Sequence, residues 1–499
     1  MRFRPFVQVD SPPQKTTKNV DFSSDVSEIN SKKYRPRALQ VAAVSAVLII
    51  LFALISLLLE SEPTNAEDKK DVSKLLKQAK LEYKPVHWLV QKQTVNEINT
   101  VNEYSINDKS EWPEYLKVEP NKNSPLAKNP RYEDIDIVIL YKSTVFGGRA
   151  DNSFLRSDFK TYVCNITNDK DPSNGHEDSP GKPLLKDVKV LLTADTNLME
   201  YAHGYVYHGP DVPYGRELSE GSKEGKRVRI YHTMESPALT SVSLTLESVA
   251  QQFQLLMSYH FKSDIFLPYV GRGTLRLLVD RPILVPFHEK NSEYPLAWIG
   301  SNCNAQNGRQ AYLGALFKHI PTHSYGGCLN TIRKSVPRGG ESMLKIISQY
   351  KFYIVMENSN CEDYITEKLG SAIISSTVPV VFSINGSLPN YDRYLPEHSY
   401  INAFDFPSAK HLAEYLLKVS QNETLYNSYL WYKFEAMKSN KRKEQIWKDD
   451  ILKRYLYKET RNHWCRAASS IFNFLYYNSN KTLHADNSCQ RSRIMTDFI

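Results

Sequence analysis

No Cys-x-x-Cys pair occurs in the 499-residue sequence. Its six cysteines, Cys164, Cys303, Cys328, Cys361, Cys465 and Cys489, are scattered, which leaves a zinc site without its usual close ligand spacing. A strong charge bias is also missing. The formal charge is +8, and residues 1–37 account for half of it with eight Lys/Arg against four Asp/Glu. The remaining +4 is spread too thinly over the rest of the chain to make a nucleic-acid-binding surface. Apolar and charged fractions are ordinary for a globular protein, and the length suits two or three domains.

Ala38 to Leu59 is uncharged, with only Gln40, Ser45 and Ser56 polar. About 20 such residues span a bilayer core. Lys32, Lys33, Arg35 and Arg37 precede the run, and Glu60 and Glu62 follow it. The positive-inside rule then predicts a single-pass type II membrane protein with a cytosolic tail, residues 1–37, and a signal anchor, residues 38–59. A cleaved signal peptide fits poorly, because the run starts late and no small-residue cleavage site follows. All six cysteines come after the run, as an oxidising lumen would suit. So do four Asn-x-Ser/Thr sequons, at Asn165, Asn385, Asn422 and Asn480. Residues 60–129 are Lys-, Glu- and Asn-rich and read as a stem, with a short helix expected over Asp71 to Leu81.

The densest signal is Tyr350 to Phe382. Phe352 to Met356 is a short apolar run, as a buried parallel strand would be. A polar turn follows, and Asp363 is placed to cap a helix starting at Tyr364. Tyr364, Glu367 and Lys368 would then share one helix face. Val378 to Phe382 is the next strand. A helix N-terminus after a parallel strand favours anions, and a lysine in the first turn adds a point charge for a diphosphate. An exposed Glu/Lys helix after a surface turn would show the same spacing.

Glu357-Asn358-Ser359-Asn360, then Asp363-Tyr364-Ile365-Thr366-Glu367-Lys368-Leu369, then Val378-Pro379-Val380-Val381, resembles the donor-binding motif of the α1,3/4-fucosyltransferase family. The resemblance implies that Tyr364, Glu367 and Lys368, with Asn358 of the same motif, contact GDP-fucose. Gly370-Ser371 departs from the aromatic and basic residues that many members carry there.

Other stretches extend the resemblance over about residues 225–435. Glu235, in a Glu-Ser-Pro turn after the strand Arg227 to Tyr231, would by chemistry alone be a turn carboxylate; it resembles the family's catalytic glutamate, a general base. Met257 to Tyr269 resembles another family element, matching at Asp264, Pro268 and Tyr269, but His260 and Phe261 replace two arginines and Lys262 replaces an acid. Arg309, after a capping Asn307, resembles the family's pyrophosphate-binding arginine; a solvated helix arginine is the alternative. Ser301-Asn302-Cys303 and Tyr325-Gly326-Gly327-Cys328 look more like core α1,3-fucosyltransferases than Lewis-type enzymes, and leave a Cys303–Cys328 bridge open as one pairing. Asp134-Ile135-Asp136 has the DxD spacing of metal-dependent glycosyltransferases, but Asp136 lies inside an apparent strand, and a strand flank is the stronger reading.

The resemblance implies an α/β, GT-B-like chain with two Rossmann-like domains facing a cleft: residues 130–285 on the acceptor side, 286–440 binding GDP-fucose, and a C-terminal extension, 441–499. Residues 270–290 read as the linker between them, and 449–499 as carrying little functional information. The implied activity is inverting α1,3 transfer of L-fucose from GDP-fucose to a glycoprotein glycan, core N-acetylglucosamine foremost. It needs no essential cofactor, a divalent metal being at most stimulatory. It belongs to a Golgi membrane protein that has no nucleic-acid partner and leaves room for an oligomer. Protein O-fucosylation, Lewis-type transfer and an inactive scaffold or lectin-like relative are the alternatives.

Overall fold

The structure, a computed structural model, describes residues 134–150, 159–167, 183–212, 227–239, 245–332, 340–386, 388–438, 445–457, 461–477 and 479–490, with a few isolated positions besides. The expected membrane anchor, stem and Asp71 to Leu81 helix lie outside the described residues.

Two parallel sheets organise them. The first contains β1 (Ile137–Tyr141), β2 (Phe159–Thr167), β3 (Pro183–Thr193), β4 (Gly204–His208), β5 (Val228–Thr233), β6 (Leu255–Ser258) and β7 (Ile265–Phe266), in the order β2-β3-β1-β4-β5-β6-β7. Only β2 runs antiparallel, against β3. Side chains alternate along a strand. Ile137 and Ile139 therefore enter one core while Val138 and Leu140 enter another on the opposite face. A sheet buried on both faces needs unbroken apolar strands, which is why IVILY reads as a continuous run.

The second sheet is wholly parallel, in the order β13-β12-β10-β8-β9. Its strands are β8 (Leu296–Ile299), β9 (Thr322–Tyr325), β10 (Phe352–Val355), β12 (Val378–Val381) and β13 (Ile401–Asn402). Pro379 pairs opposite Tyr353 at the second position of β12, inside the sheet rather than at its margin. Helices pack over this sheet: α1 (Glu247–Ala250) belongs to the first, whereas α2 (Arg272–Asp280), α3 (Arg309–Leu316), α4 (Gly340–Ser348), α5 (Glu367–Ser375) and α6 (Ala409–Ser420) surround the second. The stretch expected as a linker thus contains α2, whose Leu275, Leu278 and Val279 are buried in the second core. Its Arg276 donates to the carbonyl of Leu456 at 3.0 Å.

Of the later helices α7 (Glu423–Ser428), α8 (Trp431–Ala436), α9 (Asp450–Tyr457) and α10 (His463–Tyr476), the last does not stay with the second sheet. Trp464, Ala468, Ile471 and Phe472 are buried against the first sheet, and a Cys164–Cys465 disulfide ties α10 to β2 across 301 residues of sequence. The approach is close: a Cβ on Gly204 of β4 would sit 2.6 Å from the tip of the Ile471 side chain, which would have to shift to admit it. Two further disulfides, Cys303–Cys328 and Cys361–Cys489, use the remaining cysteines. The second realises the pairing that the Ser-Asn-Cys and Tyr-Gly-Gly-Cys resemblance left open. The third brings β14 (Cys489–Gln490) against β11 (Asn360–Cys361) as an antiparallel pair.

Replacing Cys164 and Cys465 together by alanine should remove the long-range tie without disturbing either strand order. Urea unfolding of that variant is expected to show a loss of about 2–5 kcal/mol; an unchanged midpoint would mean that α10 packing alone sets stability.

Candidate functional site

The site lies where loops after β5 and β10 meet. The apolar strand β10 ends at Val355, and the first carboxylate after it, Glu357, is buried. Its oxygens accept the Thr366 backbone N–H at 2.8 Å, the Thr366 hydroxyl at 2.8–2.9 Å and the Lys368 ammonium at 3.0 Å. Lys368 also donates to Thr366 Oγ1 at 2.8 Å and lies 3.4 Å from Glu367. Burial draws the Lys368 pKa down, but the Glu357 and Glu367 carboxylates outweigh it, and the net shift is upward. Lys368 is therefore a fixed cation at the mouth of a helix.

This geometry corrects the expected helix start. α5 begins at Glu367, with Thr366 as its N-cap residue, not at Tyr364. Tyr364 precedes the helix and so does not share its face with Glu367 and Lys368. Asp363 caps nothing: it takes a positive φ of 60° and turns its buried carboxylate inward. There it accepts the Phe261 N–H at 3.1 Å and Arg393 Nη1 at 3.1 Å, and it lies 3.8 Å from His260 Nδ1. Stronger partners elsewhere outcompete the local cap.

Glu235 follows β5. Its N–H donates to Thr233 Oγ1, which donates back to the Glu235 carbonyl, both at 3.1 Å. This small ring orients the turn. Burial, then the nearby Glu367 carboxylate, push the Glu235 pKa above its usual range, with Lys368 and the Tyr364 hydroxyl opposing. Glu235, Tyr364, Glu367 and Lys368 are thus brought together. Tyr364 is buried, its ring 5.1 Å from that of Tyr259 and 6.3 Å from that of Tyr269. The Tyr269 hydroxyl donates to the Met234 carbonyl beside Glu235.

Asn358 joins through a hydroxyl chain: Ser236 donates to Ser359 at 2.8 Å, and Ser359 to Asn358 Oδ1 at 3.2 Å. Arg309 opens α3, but the N-cap residue is Gly308, in the left-handed region at φ 82°, and not the expected Asn307; Asn307 Oδ1 still accepts the Arg309 N–H at 3.3 Å. Its side chain is enclosed rather than solvated, and donates to the carbonyls of Met356 at 2.9 Å and Asn302 at 3.1 Å. Arg309 lies near enough to Glu357, Tyr364 and Glu367 to interact electrostatically with all three.

Asp134 and Asp136 sit apart from this cluster. Asp136 Oδ2 accepts the Lys189 N–H of the neighbouring strand at 2.8 Å, and Asp134 pairs with Lys189 Nζ at 3.3 Å on the surface. Among the described residues no group of three or more His, Cys, Asp or Glu is arranged to hold a metal.

Three features were missed in the sequence. The motif alone assigns Glu357 no role, although a carboxylate directly after a buried strand is a signal for one. The departing triplet His260-Phe261-Lys262 faces the donor-motif loop: His260 and Phe261 both meet Asp363, and Lys262 pairs with Glu362 at 3.3 Å. The residues from 481 to 490, read as uninformative, return to the site. Asp486 lies 3.2 Å from His260 Nε2, and Glu362 N–H donates to the Ser488 carbonyl. His260, stacked on Tyr259 at 4.5 Å, has its pKa lowered by burial, but the Asp363 and Asp486 carboxylates raise it overall to about 9.

The first sheet contributes a second polar group. Tyr141 and His232 Nδ1 are 2.7 Å apart, and His208 pairs with Asp211. Asp211 accepts the N–H groups of Phe146 and Gly147 at 2.7 and 2.9 Å, and the Phe146 ring, 67% exposed, lies 4.5 Å from that of His208.

Residues 288–484 match glycosyltransferase family 10 (fucosyltransferase), C-terminal domain. The chain is 34% identical over 241 residues to 4-galactosyl-N-acetylglucosaminide 3-alpha-L-fucosyltransferase FUT6 of Pan troglodytes, covering 48% of this chain and 63% of that protein. It is 33% identical over 244 residues to the corresponding fucosyltransferase 9 of Bos taurus, covering 48% and 64%. The matched region thus spans less than two thirds of these relatives. A crystal structure of alpha1,3-fucosyltransferase with GDP-fucose aligns with a TM-score of 0.38 at 17% identity, covering 60% of this chain and 85% of that one.

Linkage makes the His260 junction pH-dependent. The imidazolium binds its proton more tightly folded than unfolded, so its contribution to stability is full below about pH 6.5 and is lost as pH rises through about 9. His260→Gln should flatten thermal stability across that window; an unaltered pH profile would remove His260 from the junction.

Proposed function

We propose that this chain, whose residues 288–484 match the glycosyltransferase family 10 (fucosyltransferase) C-terminal domain, transfers L-fucose from GDP-fucose to a glycan hydroxyl in α1,3 linkage. The observation that carries the reading is the pairing of a half-buried carboxylate with a raised pKa, Glu235, and a helix-mouth cation, Lys368, within one cluster.

The two groups divide the chemistry. Glu235 takes the proton from the acceptor hydroxyl as its oxygen attacks the anomeric carbon of β-linked GDP-fucose. The bond from that carbon to the phosphate oxygen breaks on the opposite face, inverting the centre. Negative charge builds on the leaving diphosphate, where Lys368 and the first N–H groups of α5 favour it. Glu367 sits to accept hydroxyl hydrogen bonds from the donor, and Tyr364 links the donor loop to Glu235. Arg309 fixes the ends of β10 and the 301–307 loop around the diphosphate. No step requires a metal. The two facing α/β sheets are in keeping with a GT-B arrangement, the first supplying the base and the second the donor site.

Two acceptor readings converge on one atom. The Ser-Asn-Cys and Tyr-Gly-Gly-Cys segments, joined by Cys303–Cys328, favour the core N-acetylglucosamine of N-glycans. The relatives' names favour a 4-galactosylated N-acetylglucosamine. Either way the nucleophile is the 3-hydroxyl of an N-acetylglucosamine unit. We further read the activity as lumenal, at a Golgi membrane; the run from Ala38 to Leu59 and the three disulfides support that reading.

Glu235→Gln should lower kcat by about 10²–10⁴-fold while GDP still binds. Wild-type kcat/KM should fall as pH drops through a pKa above the ordinary 4.5 of a glutamate, because the base must be ionised, and this acid limb should vanish in the variant. Wild-type turnover by Glu235→Gln would sink the assignment. Lys368→Ala should raise the GDP dissociation constant in isothermal titration, and an unchanged constant would count against its role. Mass spectrometry of products from paucimannosidic N-glycopeptide and N-acetyllactosamine, in EDTA, decides the acceptor.

A further inference from the structure

Three parts of the chain converge on His260. It follows β6, its buried ring stacks on Tyr259, and two carboxylates from distant segments flank it. Asp486, of the segment bonded through Cys489 to Cys361, lies 3.2 Å from Nε2. Asp363, of the donor-motif loop, lies 3.8 Å from Nδ1. No step of the proposed transfer uses this imidazole.

We propose that His260 is a positioning residue for the sugar-nucleotide donor: its charged ring, steadied by Asp486, holds Asp363 and so fixes the turn that delivers Tyr364, Glu367 and Lys368 to GDP-fucose. The proposal rests on the reading of those three residues as the donor site. The backbone at His260 is fixed by its own turn. Its N–H donates to Ser258 Oγ at 3.3 Å, and its carbonyl accepts the Ser263 N–H at 3.0 Å. The donor loop is the part that needs holding. Asp363 takes a φ of 60°, a left-handed conformation that a residue other than glycine keeps only when its surroundings enforce it. Three partners do so: the Phe261 N–H and Arg393 Nη1, each at 3.1 Å, and His260. The Tyr364 N–H donates to the Cys361 carbonyl at 3.3 Å and the Ile365 N–H to the Asp363 carbonyl at 2.9 Å, so the turn and its tyrosine follow Asp363.

Charge is what makes the ring effective. The Asp363 contact is too long for a hydrogen bond, and Nε2 is out of alignment for one with Asp486. The imidazolium therefore attracts both carboxylates by charge, and a neutral ring would hold neither. The charged groups around it are Asp363 from the donor loop, Asp486 from the C-terminal segment and, across Asp363, Arg393. The stacked Tyr259 stays neutral, because burial and then Asp486 raise its pKa. Burial opposes the His260 charge, but the two carboxylates overcome it, and the proton leaves only near pH 9. The resemblance puts an arginine at this position, which keeps its charge there. With histidine, donor affinity falls as pH rises through about 9.

The test is isothermal titration of GDP into the full-length chain in detergent at about pH 7 and about pH 10, either side of the His260 pKa of about 9. The guanine base titrates in that interval too, so the readout is the difference between variants. We expect the wild type to lose about 3- to 10-fold more affinity across the interval than His260→Arg, and His260→Gln to be weaker by about that factor already at about pH 7. Asp486→Asn, which leaves the ring in place, should move the wild-type loss to lower pH. Parallel weakening of wild type and His260→Arg, wild-type affinity in His260→Gln near neutrality, an unmoved loss in Asp486→Asn, or a wild type that binds no GDP each overturns the proposal. A wild type that binds GDP with the expected pH dependence but transfers no fucose keeps the positioning role and defeats the transfer reading instead.

Discussion

A buried carboxylate sets the geometry of the site. Glu357 stands at the exit of β10, and its side chain binds the Thr366 N–H, the Thr366 hydroxyl and Lys368. Its backbone carbonyl accepts Asn307 Nδ2 at 2.9 Å, which fixes the approach to α3. One residue thereby anchors a strand end and two helix starts. Removing its side chain would strip Lys368 of its buried carboxylate, leaving only the exposed Glu367 as counter-charge, and would leave the Thr366 N–H unpaired in low dielectric, which costs more than the net value of the contacts when made. Lys368 owes its fixed position to this arrangement, and Glu235 feels Lys368 and Glu367 across the gap.

The two sheets meet through directed polar contacts set beside a shared apolar cluster, in which Tyr259 packs with Cys361 and Tyr364. Asp363 gathers Phe261 N–H, Arg393 and His260, and Ser236 meets Ser359. Charge-assisted bonds of this kind fix direction, whereas apolar contacts alone tolerate sliding. Arg393 also lies 4.3 Å above the Phe261 ring and 3.4 Å from Asp449, so an aromatic residue in the departing triplet does packing work at the same junction. His260 and Phe261, placed where the family resemblance leads one to expect arginines, build a tie to the donor-motif loop by different chemistry.

The strands of the second sheet and the order strand, turn, helix, strand over Tyr350 to Phe382 were legible because buried parallel strands leave continuous apolar runs. The candidate residues were legible through motif spacing. The start of α5 was not: Asp363 is a good cap by local rules, and tertiary partners 30 and more residues away claimed it. β2 was missed because its residues Lys160, Thr161, Tyr162 and Val163 are exposed or half-exposed, so no apolar run marks it. The return of residues 481–490 to the site was illegible for a different reason: a two-residue strand and one cysteine carry no local pattern, and six cysteines leave many pairings open.

The Cys361–Cys489 link spans 128 residues of sequence. A chain emerging N-terminus first exposes Cys361 long before its partner exists. At about 5–20 residues per second the wait is roughly 6–26 s. Cys303 and Cys328, only 25 residues apart, are both complete before Cys361 appears and can close on each other. Sequence order therefore clears the nearest competing thiols before the donor-motif cysteine needs protection. It also makes the segment from Asp486 to Cys489 among the last parts of the site to be synthesised, so a growing chain holds Glu235 and Lys368 well before it can close the Cys361–Cys489 link.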